Sequence, residues 1–221
     1  MPCGEVSRAN GEAQPTVTLQ PTVVLEWIRR IGVAVIALQA LFFLDAPFLT
    51  LGQKRATWRW REQVVINSLE LTLVLWWVMA KWLLGWERPL VPAGAALAAG
   101  CAGLALVLGG AGLLVWAKLR LGRWFVAGFM IKDGHELVTG GPYAITRHPI
   151  YTGLLAAFAG AALLWNSALT LALAAGFVVS LSLHTMVEEA LLERHFGDAY
   201  RAYRARVPRL VPFAGPGRKR G

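Results

Sequence analysis

The densest run of chemically capable side chains lies between His135 and Tyr151, which reads His-Glu-Leu-Val-Thr-Gly-Gly-Pro-Tyr-Ala-Ile-Thr-Arg-His-Pro-Ile-Tyr. Its Gly-Gly-Pro sequence is typical of a turn. Because a residue before proline is disfavoured in a helix and proline suits the first helical position, a helix is predicted to begin at Pro149. Arg147 and His148 then stand at a helix N-terminus, where backbone N–H groups and the helix dipole favour a bound anion.

A second group of ionisable residues lies at the end of the last apolar run. His184 and Glu188 are four residues apart, as are Glu189 and Glu193, so each pair shares one face of a helix. Ionisable groups at membrane depth are costly and suggest a functional site. We favour a functional role for Glu188 and Glu189, whereas Glu193 and His195 are interpreted as solvated surface residues.

Neither a metal ion nor a nucleic acid is an expected ligand of these residues. The four histidines form no pair four residues apart and no Glu-x-x-His motif, and beside His184 and Glu188 a third and fourth ligand cannot be named. The net charge of +9 is carried outside the apolar runs, which fits membrane topology and anionic lipid headgroups. Zinc-knuckle, RNP and helix-turn-helix patterns are absent from the sequence.

The elements that must hold these side chains are long apolar runs. Hydrophobic residues make up 56% of the 221 residues and charged residues only 16%, against about 25% in a typical soluble domain. A helix needs roughly 20 apolar residues to cross a bilayer. The sequence therefore predicts an all-α, polytopic membrane protein with about five transmembrane helices, at Ile31–Leu51, Val64–Trp86, Leu90–Leu119, Ile150–Trp165 and Ala168–Val187.

Local features refine these spans. Asp45 and Pro47 are expected to end the first one. The third, Leu90–Leu119, is rich in glycine and alanine, which permit close helix packing, and it lacks the preceding strand of a dinucleotide-binding loop. Only Asn166 and Ser167 separate the last two runs, which predicts a C-terminal helical hairpin, either tilted or partly re-entrant.

A short amphipathic helix is predicted after Gly197 and Asp198. Tyr200, Tyr203 and Val207 fall on one face at helical spacing, and arginines surround them. Such a helix suits the membrane surface, so we interpret it as a cytoplasmic cover over the site and assign it no catalytic role.

Positive charge sets the expected orientation. Seventeen of the 22 lysines and arginines lie in the loop after the first span, in residues 118–147, or from Arg194 onward. Since cytoplasmic loops are enriched in lysine and arginine, these segments are predicted to be cytoplasmic and the N-terminus external. The membrane expected is a bacterial inner membrane, or otherwise the endoplasmic reticulum.

Several short motifs follow one another in this region: His135-x-Leu137-Val138, Gly141-Pro142-Tyr143, Arg147-His148-Pro149-x-Tyr151-x-Gly153, Glu188-Glu189, Phe196-Gly197-x-x-Tyr200-x-x-Tyr203 and Val207-Pro208-Arg209. Their order and spacing resemble the isoprenylcysteine carboxyl methyltransferase and phospholipid methyltransferase superfamily. The chain then divides into a polar N-terminal tail at 1–22 without a signal-peptide pattern, three transmembrane helices at 23–117, a methyltransferase-like region at 118–212 and a basic tail at 213–221.

Members of that superfamily are membrane enzymes that use S-adenosylmethionine. The resemblance therefore implies methyl transfer to a lipidic or isoprenoid-bearing acceptor, either carboxyl O-methylation of a prenylcysteine-like group or methylation of a lipid headgroup. The partners implied are this small lipidic substrate and membrane lipids. The resemblance implies a cofactor site lined by His135, Leu137, Val138, Tyr143, Arg147, His148, Tyr151, Glu188 and Glu189.

The chemistry of S-adenosylmethionine suggests how these residues would be used. Its carboxylate needs cationic donors, its ribose hydroxyls and ammonium group need acceptors, and its adenine needs apolar walls. The pairings expected are Arg147 and His148 with the carboxylate, Glu188 and Glu189 with the hydroxyls and ammonium, and Leu137, Val138 and Tyr143 with the adenine.

Catalysis would depend mainly on alignment and on exclusion of water. A carboxylate acceptor needs no general base, whereas an amine or phenol does, and Glu189 or His148 is the expected catalytic residue. Two other functions stay open: an NADPH-dependent reductase of the sterol-reductase type, which would need further clustered cations, and a non-catalytic membrane protein on the same scaffold.

Overall fold

The computed structural model describes residues 20–50, 55–58, 60–126 and 129–210. Helix α2 continues into a π-helical turn at Met79–Leu83, and single 3-10 turns flank α3 at Ala93–Ala95 and Gly122–Trp124. The principal elements are α1 (Pro21–Thr50), β1 (Arg55–Trp58), α2 (Trp60–Val78), α3 (Ala96–Leu121), β2 (Met130–Lys132), α4 (Pro149–Leu164), α5 (Ala168–Phe196) and α6 (Asp198–Arg206).

Within the described residues, three helical stretches are long and apolar enough to cross a membrane: Val64–Leu83, Ala93–Trp124 and Ala168–Phe196. Helix α4 is apolar but has only 16 residues, about 24 Å, which is less than the roughly 30 Å of a hydrocarbon core. The prediction of a helical, polytopic membrane protein is confirmed.

The first helix begins earlier than predicted and ends at Thr50, one residue before the predicted bound at Leu51. It begins at Pro21, ten residues before the expected start, because proline suits the first helical position and the mixed polar and apolar residues 22–30 continue the helix. The predicted end at Asp45 and Pro47 is wrong, since the helix extends to Thr50. A single proline removes one backbone donor, and here it does not end the helix.

Glycines of α3 and α4 allow the backbones of these two helices to pack in direct contact. A Cβ atom placed on Gly110 or on Gly153 would lie within 3.0 Å of the other residue's carbonyl oxygen, and Gly103 and Gly160 form a second such pair two turns away. No larger side chain fits between the helices at these points. The prediction of close helix packing is confirmed, and this contact positions the start of α4.

The predicted hairpin between α4 and α5 is also confirmed. Asn166, with a φ of 50°, turns the chain, and its side-chain oxygen accepts hydrogen bonds from the backbone N–H groups of Leu90 and Val91 at 2.8 Å each. Ser167 caps α5 by accepting a hydrogen bond from the Thr170 N–H at 3.0 Å. The hairpin turn is therefore fastened to the segment that precedes α3.

The opposite end of the bundle carries a small antiparallel ribbon that the all-α prediction does not include. Strands β1 and β2 pair with Thr57 opposite Ile131 and Trp58 opposite Met130. Ile131 packs with Phe129, Ile66 and Leu191 in a buried cluster. The ribbon thus joins the loop after α1 to the loop between α3 and α4, beside the end of α5.

Candidate functional site

A cavity of about 310 Å³ lies where α4 begins and α5 ends, and it is covered by residues from 121–126 and 129–143 and by α6. This volume is at the lower end of the range of roughly 300–1,000 Å³ that is typical of ligand sites. Eight of the nine predicted residues line it: His135, Leu137, Val138, Tyr143, Arg147, His148, Tyr151 and Glu188.

Glu189, the ninth, lies behind the cavity wall. Its side chain is only 4% exposed. One carboxylate oxygen lies 2.8 Å from Nη2 of Arg147 and 3.2 Å from Nε2 of His148, and the other lies 3.0 Å from Nη2 of Arg209. Both oxygens are therefore engaged within the protein, and the expected contact of Glu189 with the cofactor stays a prediction.

Arg147 borders the cavity but directs most of its donors into the protein. Its Nε donates to Glu189 at 2.9 Å, and its Nη1 donates to the carbonyls of Arg204 at 2.7 Å and Val207 at 3.0 Å. With the Nη2 contact to Glu189, four of the five N–H groups of a guanidinium are engaged. The expected role of Arg147 as the main binder of a carboxylate therefore does not fit this geometry.

The start of α4 is covered by residues 207–210, which we call the strap. The backbone N–H groups of Arg147 and His148 donate to the carbonyls of Pro208 at 2.9 Å and Arg209 at 3.2 Å. The Thr146 and Thr152 hydroxyls donate to the carbonyls of Arg209 and Leu210. The backbone N–H groups that were predicted to bind an anion thus bind carbonyl groups of the same chain, about 60 residues downstream. No local sequence pattern predicts this contact.

His148 is enclosed between two carboxylates. Its Nε2 lies 3.2 Å from Glu189 and its Nδ1 lies 3.5 Å from Glu188, while its ring stacks on Tyr151 with 5.6 Å between centroids. Burial lowers the pKa of His148, but the two carboxylates raise it by more, so the net shift is upward. Both ring nitrogens are directed at carboxylates, so His148 is held in one orientation, and its expected role as a general base stays a prediction.

Three buried polar atoms on the cavity wall have no hydrogen-bond partner in the described part of the chain: Nδ1 of His135, Oε2 of Glu188 and the hydroxyl of Tyr200. Buried polar atoms are nearly always hydrogen-bonded, so these three indicate a polar ligand. Oε2 of Glu188 lies 3.5 Å from Nδ1 of His148, and the Tyr151 side chain also interacts with this carboxylate.

Aromatic rings form one side of the same cavity. The ring of His135 stacks on Trp124, with 5.0 Å between centroids and 14° between planes, and meets the edge of Phe196 at 5.8 Å. Burial lowers the pKa of His135, and the nearby His195 and Lys132 side chains lower it further. A neutral, unpartnered imidazole beside flat rings suits a planar heterocycle with both donors and acceptors.

Several residues that line the cavity were not predicted to belong to the cofactor site. Trp124, Phe196 and Tyr200 are among them, and so are Glu70 and His184, which contact each other at 3.0 Å. Glu70 stands out in the sequence as a carboxylate inside an apolar run, but nothing there connects it with His184, 114 residues later. Among the described residues no group of three or more histidine, cysteine, aspartate or glutamate side chains is arranged to hold a metal ion.

Comparison with known proteins finds the same segment. Residues 98–199 match the family model of the phospholipid methyltransferases. A protein-S-isoprenylcysteine O-methyltransferase of Schizosaccharomyces pombe is 40% identical over 101 residues, which is 44% of this chain and 42% of the relative. Protein-S-isoprenylcysteine O-methyltransferase B of Arabidopsis thaliana is 35% identical over 114 residues, which is 50% of this chain and 58% of the relative. The chain thus spans about half the length of these curated relatives.

The fold agrees over a greater length. The solved structure of the eukaryotic intramembrane Ras methyltransferase, an isoprenylcysteine carboxyl methyltransferase, superposes with a TM-score of 0.56 and 21% identity. That match covers 91% of this chain and 71% of the solved one. Residues 98–199 thus resemble the phospholipid methyltransferases, about half of the chain resembles the protein-S-isoprenylcysteine O-methyltransferases, and the solved structure shows a shared fold.

Proposed function

We propose that this protein is an integral membrane methyltransferase that takes its methyl group from S-adenosylmethionine and transfers it to a lipidic acceptor. The observation that carries the proposal is the cavity beside the start of α4, which combines eight residues of the superfamily motifs with three unpartnered buried polar atoms. The relatives are named for O-methylation of protein S-isoprenylcysteine, so an isoprenoid-bearing acceptor is one class and a lipid headgroup is the other.

The residues present fit S-adenosylmethionine. Trp124, His135 and Phe196 offer flat surfaces and one unpartnered nitrogen for the adenine, in addition to the apolar walls expected at Leu137 and Val138. Glu188 offers an unpartnered carboxylate oxygen for a ribose hydroxyl or the ammonium group. When bound, the sulfonium supplies an already activated methyl group.

The protein's contribution is then to position and to exclude water. Glu189 fixes Arg147, His148 and Arg209, and His148 in turn approaches Glu188, so the cavity wall is held by a connected set of charges. Tyr203 donates a hydrogen bond to the Tyr143 carbonyl at 2.7 Å and holds α6 over the site. Pre-organised groups of this kind lower a barrier by alignment without any further reagent.

We further propose that the cavity opens to the cytoplasm and that the N-terminus is external. The support is the distribution of lysine and arginine, and a methyl donor made in the cytosol would then reach the cavity directly. The lipidic acceptor would reach the same cavity from the membrane, between helices. A bacterial inner membrane and the endoplasmic reticulum both suit this arrangement.

Binding of the product analogue S-adenosylhomocysteine tests the donor site. Isothermal titration calorimetry in detergent is expected to show one site in the wild type. Glu188→Gln is expected to weaken binding by roughly 10-fold or more, because a charge-assisted hydrogen bond contributes about 1.5–3 kcal/mol. The matched control is Glu193→Gln, on the same helix but paired at the surface with Arg204 at 2.9 Å, which keeps wild-type affinity.

Absence of binding by well-folded wild type would overturn the proposal, and equal losses in the two variants would overturn the role of Glu188. To identify the acceptor, the protein is incubated with methyl-labelled S-adenosylmethionine and total host lipids, and the labelled product is identified by mass spectrometry. If no labelled molecule is found in the lipid fraction, the acceptor is not lipidic.

A further inference from the structure

A second polar layer faces the same cavity from deeper in the helical bundle. Glu70 on α2 and His184 on α5 both line the cavity, and Oε1 of Glu70 lies 3.0 Å from Nε2 of His184. The Ser180 hydroxyl donates to the same carboxylate oxygen at 2.8 Å. Neither Glu70 nor Ser180 belongs to the motifs that identify the superfamily, and Glu70 lies outside the matched segment, residues 98–199.

The depth of this layer separates it from the proposed donor site. His184 precedes Glu188 by four residues, so it lies about 6 Å from Glu188 along the axis of α5, one helical turn further from the end that carries the strap. The ring of Tyr151 stands between the two layers, with its centroid 5.6 Å from that of His148 and 5.9 Å from that of His184. The Glu70–His184 pair is thus one layer deeper in the helical bundle than His148 and Glu188.

The pair has the geometry of a base held by a carboxylate. Glu70 engages Nε2 of His184, which fixes the imidazole, so Nδ1 is the ring nitrogen that this carboxylate does not engage. Both side chains keep some exposure, 25% for Glu70 and 10% for His184, so the pair is not sealed between helices. An ionisable pair at this depth is costly in an apolar bundle, and a purely structural contact would be better made by apolar residues.

We propose that His184 is the general base for a methyl acceptor whose nucleophile carries a proton, an amine or a hydroxyl, and that Glu70 and Ser180 position it. This inference rests on the proposed methyltransferase function and names its substrate class. As the acceptor nitrogen or oxygen bonds to the methyl carbon, the carbon–sulfur bond breaks and its electron pair stays on sulfur. The proton of the acceptor passes to Nδ1 of His184, and the resulting imidazolium is paired with the Glu70 carboxylate.

The charges around the layer favour a protic acceptor over a carboxylate. A carboxylate acceptor carries no proton to remove and would lie near the carboxylates of Glu70 and Glu188. The groups that face His184 are Glu70 from α2, Glu188 on its own helix, Tyr151 from α4 and the Phe129 ring at 5.2 Å. Within this set no lysine or arginine is present to bind an anionic nucleophile.

The test uses the full-length protein in lipid nanodiscs, with His184→Gln and Glu70→Gln as variants. Ser182→Ala and Ser68→Ala are matched controls, because these serines lie on the same two helices and only bond their own helix at Val178 and Val64. Three acceptors are compared: a geranyl-substituted phenol, phosphatidylethanolamine and a farnesylated cysteine. The phenol and the amine share the protic chemistry, and their relative rates identify which of the two the cavity takes.

With the preferred protic acceptor, His184→Gln is expected to lower kcat by about 100-fold or more, which is within the usual contribution of a general base. Glu70→Gln is expected to shift the pH at which kcat is half-maximal and to keep partial activity. Both controls retain wild-type kcat. All four variants bind S-adenosylhomocysteine within about 2-fold of wild type, which separates this layer from the donor site.

A second readout needs no methyl donor. Binding of the prenylated phenol and of its methyl ether is followed by tryptophan fluorescence. Wild type is expected to prefer the phenol at least 5-fold, because only the phenol can donate a hydrogen bond to Nδ1, and His184→Gln is expected to bind both equally.

Efficient methylation of the farnesylated cysteine with a rate unaffected by His184→Gln would overturn this inference, as would equal wild-type affinity for the phenol and its ether. The proposed methyltransferase function survives either result. It fails separately, if wild type binds no S-adenosylhomocysteine and labels no acceptor.

Discussion

Two buried tyrosines of α6 differ in whether their hydroxyl groups have a hydrogen-bond partner within the protein. Tyr200 and Tyr203 are both buried, at 1% and 4% exposure. The hydroxyl of Tyr203 donates to the Tyr143 carbonyl, whereas that of Tyr200 faces the cavity without a partner among the described residues. Burial raises the pKa of both phenols, so both remain neutral hydrogen-bond donors.

Tyr200→Phe and Tyr203→Phe are therefore expected to have opposite effects. Tyr200→Phe removes a buried group that nothing satisfies, so thermal stability stays equal or rises, while affinity for S-adenosylhomocysteine falls by roughly 5-fold for a lost hydrogen bond of about 1 kcal/mol. Tyr203→Phe leaves the Tyr143 carbonyl unpaired and lowers thermal stability. Differential scanning fluorimetry and calorimetric titration measure the two quantities; a loss of stability in Tyr200→Phe would show that its hydroxyl is structural.

The charge on His148 gives the protein a pH dependence of defined sign. The folded-state pKa of His148 lies above its ordinary value, because Glu188 and Glu189 outweigh the effect of burial. Its protonation therefore contributes stability that is fully present below about pH 6.5 and is lost as pH rises through the folded pKa. The melting midpoint is expected to fall by a few degrees above pH 6.5 in the wild type, and less in His148→Gln.

The exposed His195 provides the control for that measurement. His195→Gln is expected to reproduce the wild-type slope of melting midpoint against pH, at one scan rate throughout because membrane proteins often denature irreversibly. A midpoint that rises with pH in the wild type, or an identical slope in His148→Gln, would contradict a protonated His148.

The identities of the cavity residues could be predicted from the sequence to a greater extent than their contacts. Motif order placed His135, Tyr143 and Glu188 correctly beside one cavity. It could not show that Arg147 is held by carbonyls of α6 and the strap, because those partners are backbone atoms distant in the chain. The contact of Glu70 with His184 could not be predicted for the same reason, since it depends on which helix packs beside α2.

At the scale of elements, the contact between α3 and α4 determines where the site is built. Gly110 and Gly153 bring the two backbones together, and α4 begins one turn before Gly153, with His148 as its N-cap residue. A shift of α4 relative to α3 therefore moves His148 relative to the carboxylates on α5. The glycine content of α3 predicted such a contact, but only the structure shows which glycines make it.

Gly109 and Gly110 allow a matched test of that contact. A Cβ on Gly110 would collide with the Gly153 carbonyl, whereas one on Gly109 meets nothing within 4 Å. Gly110→Ala is expected to cost about 1–3 kcal/mol through overpacking, a loss of several degrees in melting midpoint, and to weaken binding of S-adenosylhomocysteine. Gly109→Ala is expected to be neutral or stabilising by up to about 1 kcal/mol. Equal behaviour of the two variants would contradict the packing.

At the scale of the whole molecule, hydrogen bonds between distant segments lie at both ends of an apolar helical bundle. Asn166 ties the α4–α5 turn to Leu90 and Val91, while the β1–β2 ribbon and the strap lie at the opposite end. Hydropathy predicted the helices between these ends because long apolar runs have few alternatives in a membrane. The ribbon escaped prediction because each strand is only three or four residues long.

Cysteine labelling tests the proposed orientation. In a background with Cys3 and Cys101 replaced by serine, Glu87→Cys reports the end that carries Asn166 and Asp198→Cys reports the end that carries the strap. A membrane-impermeant maleimide is expected to label Glu87→Cys in intact bacterial cells and Asp198→Cys only after permeabilisation. Both side chains are accessible, at 38% and 96%. The reverse pattern would mean that the cavity opens to the external side.

The strap also sets an order of assembly during synthesis. A chain translated as far as residue 200 already contains α1 to α5, yet the residues whose carbonyls receive the Arg147 and His148 N–H groups have not been made. Arg209, which neutralises one oxygen of Glu189, is missing as well. The helices can therefore be inserted and packed before the strap exists, and a nascent chain of this length lacks the contacts that hold Arg147, His148 and Glu189 beside the cavity.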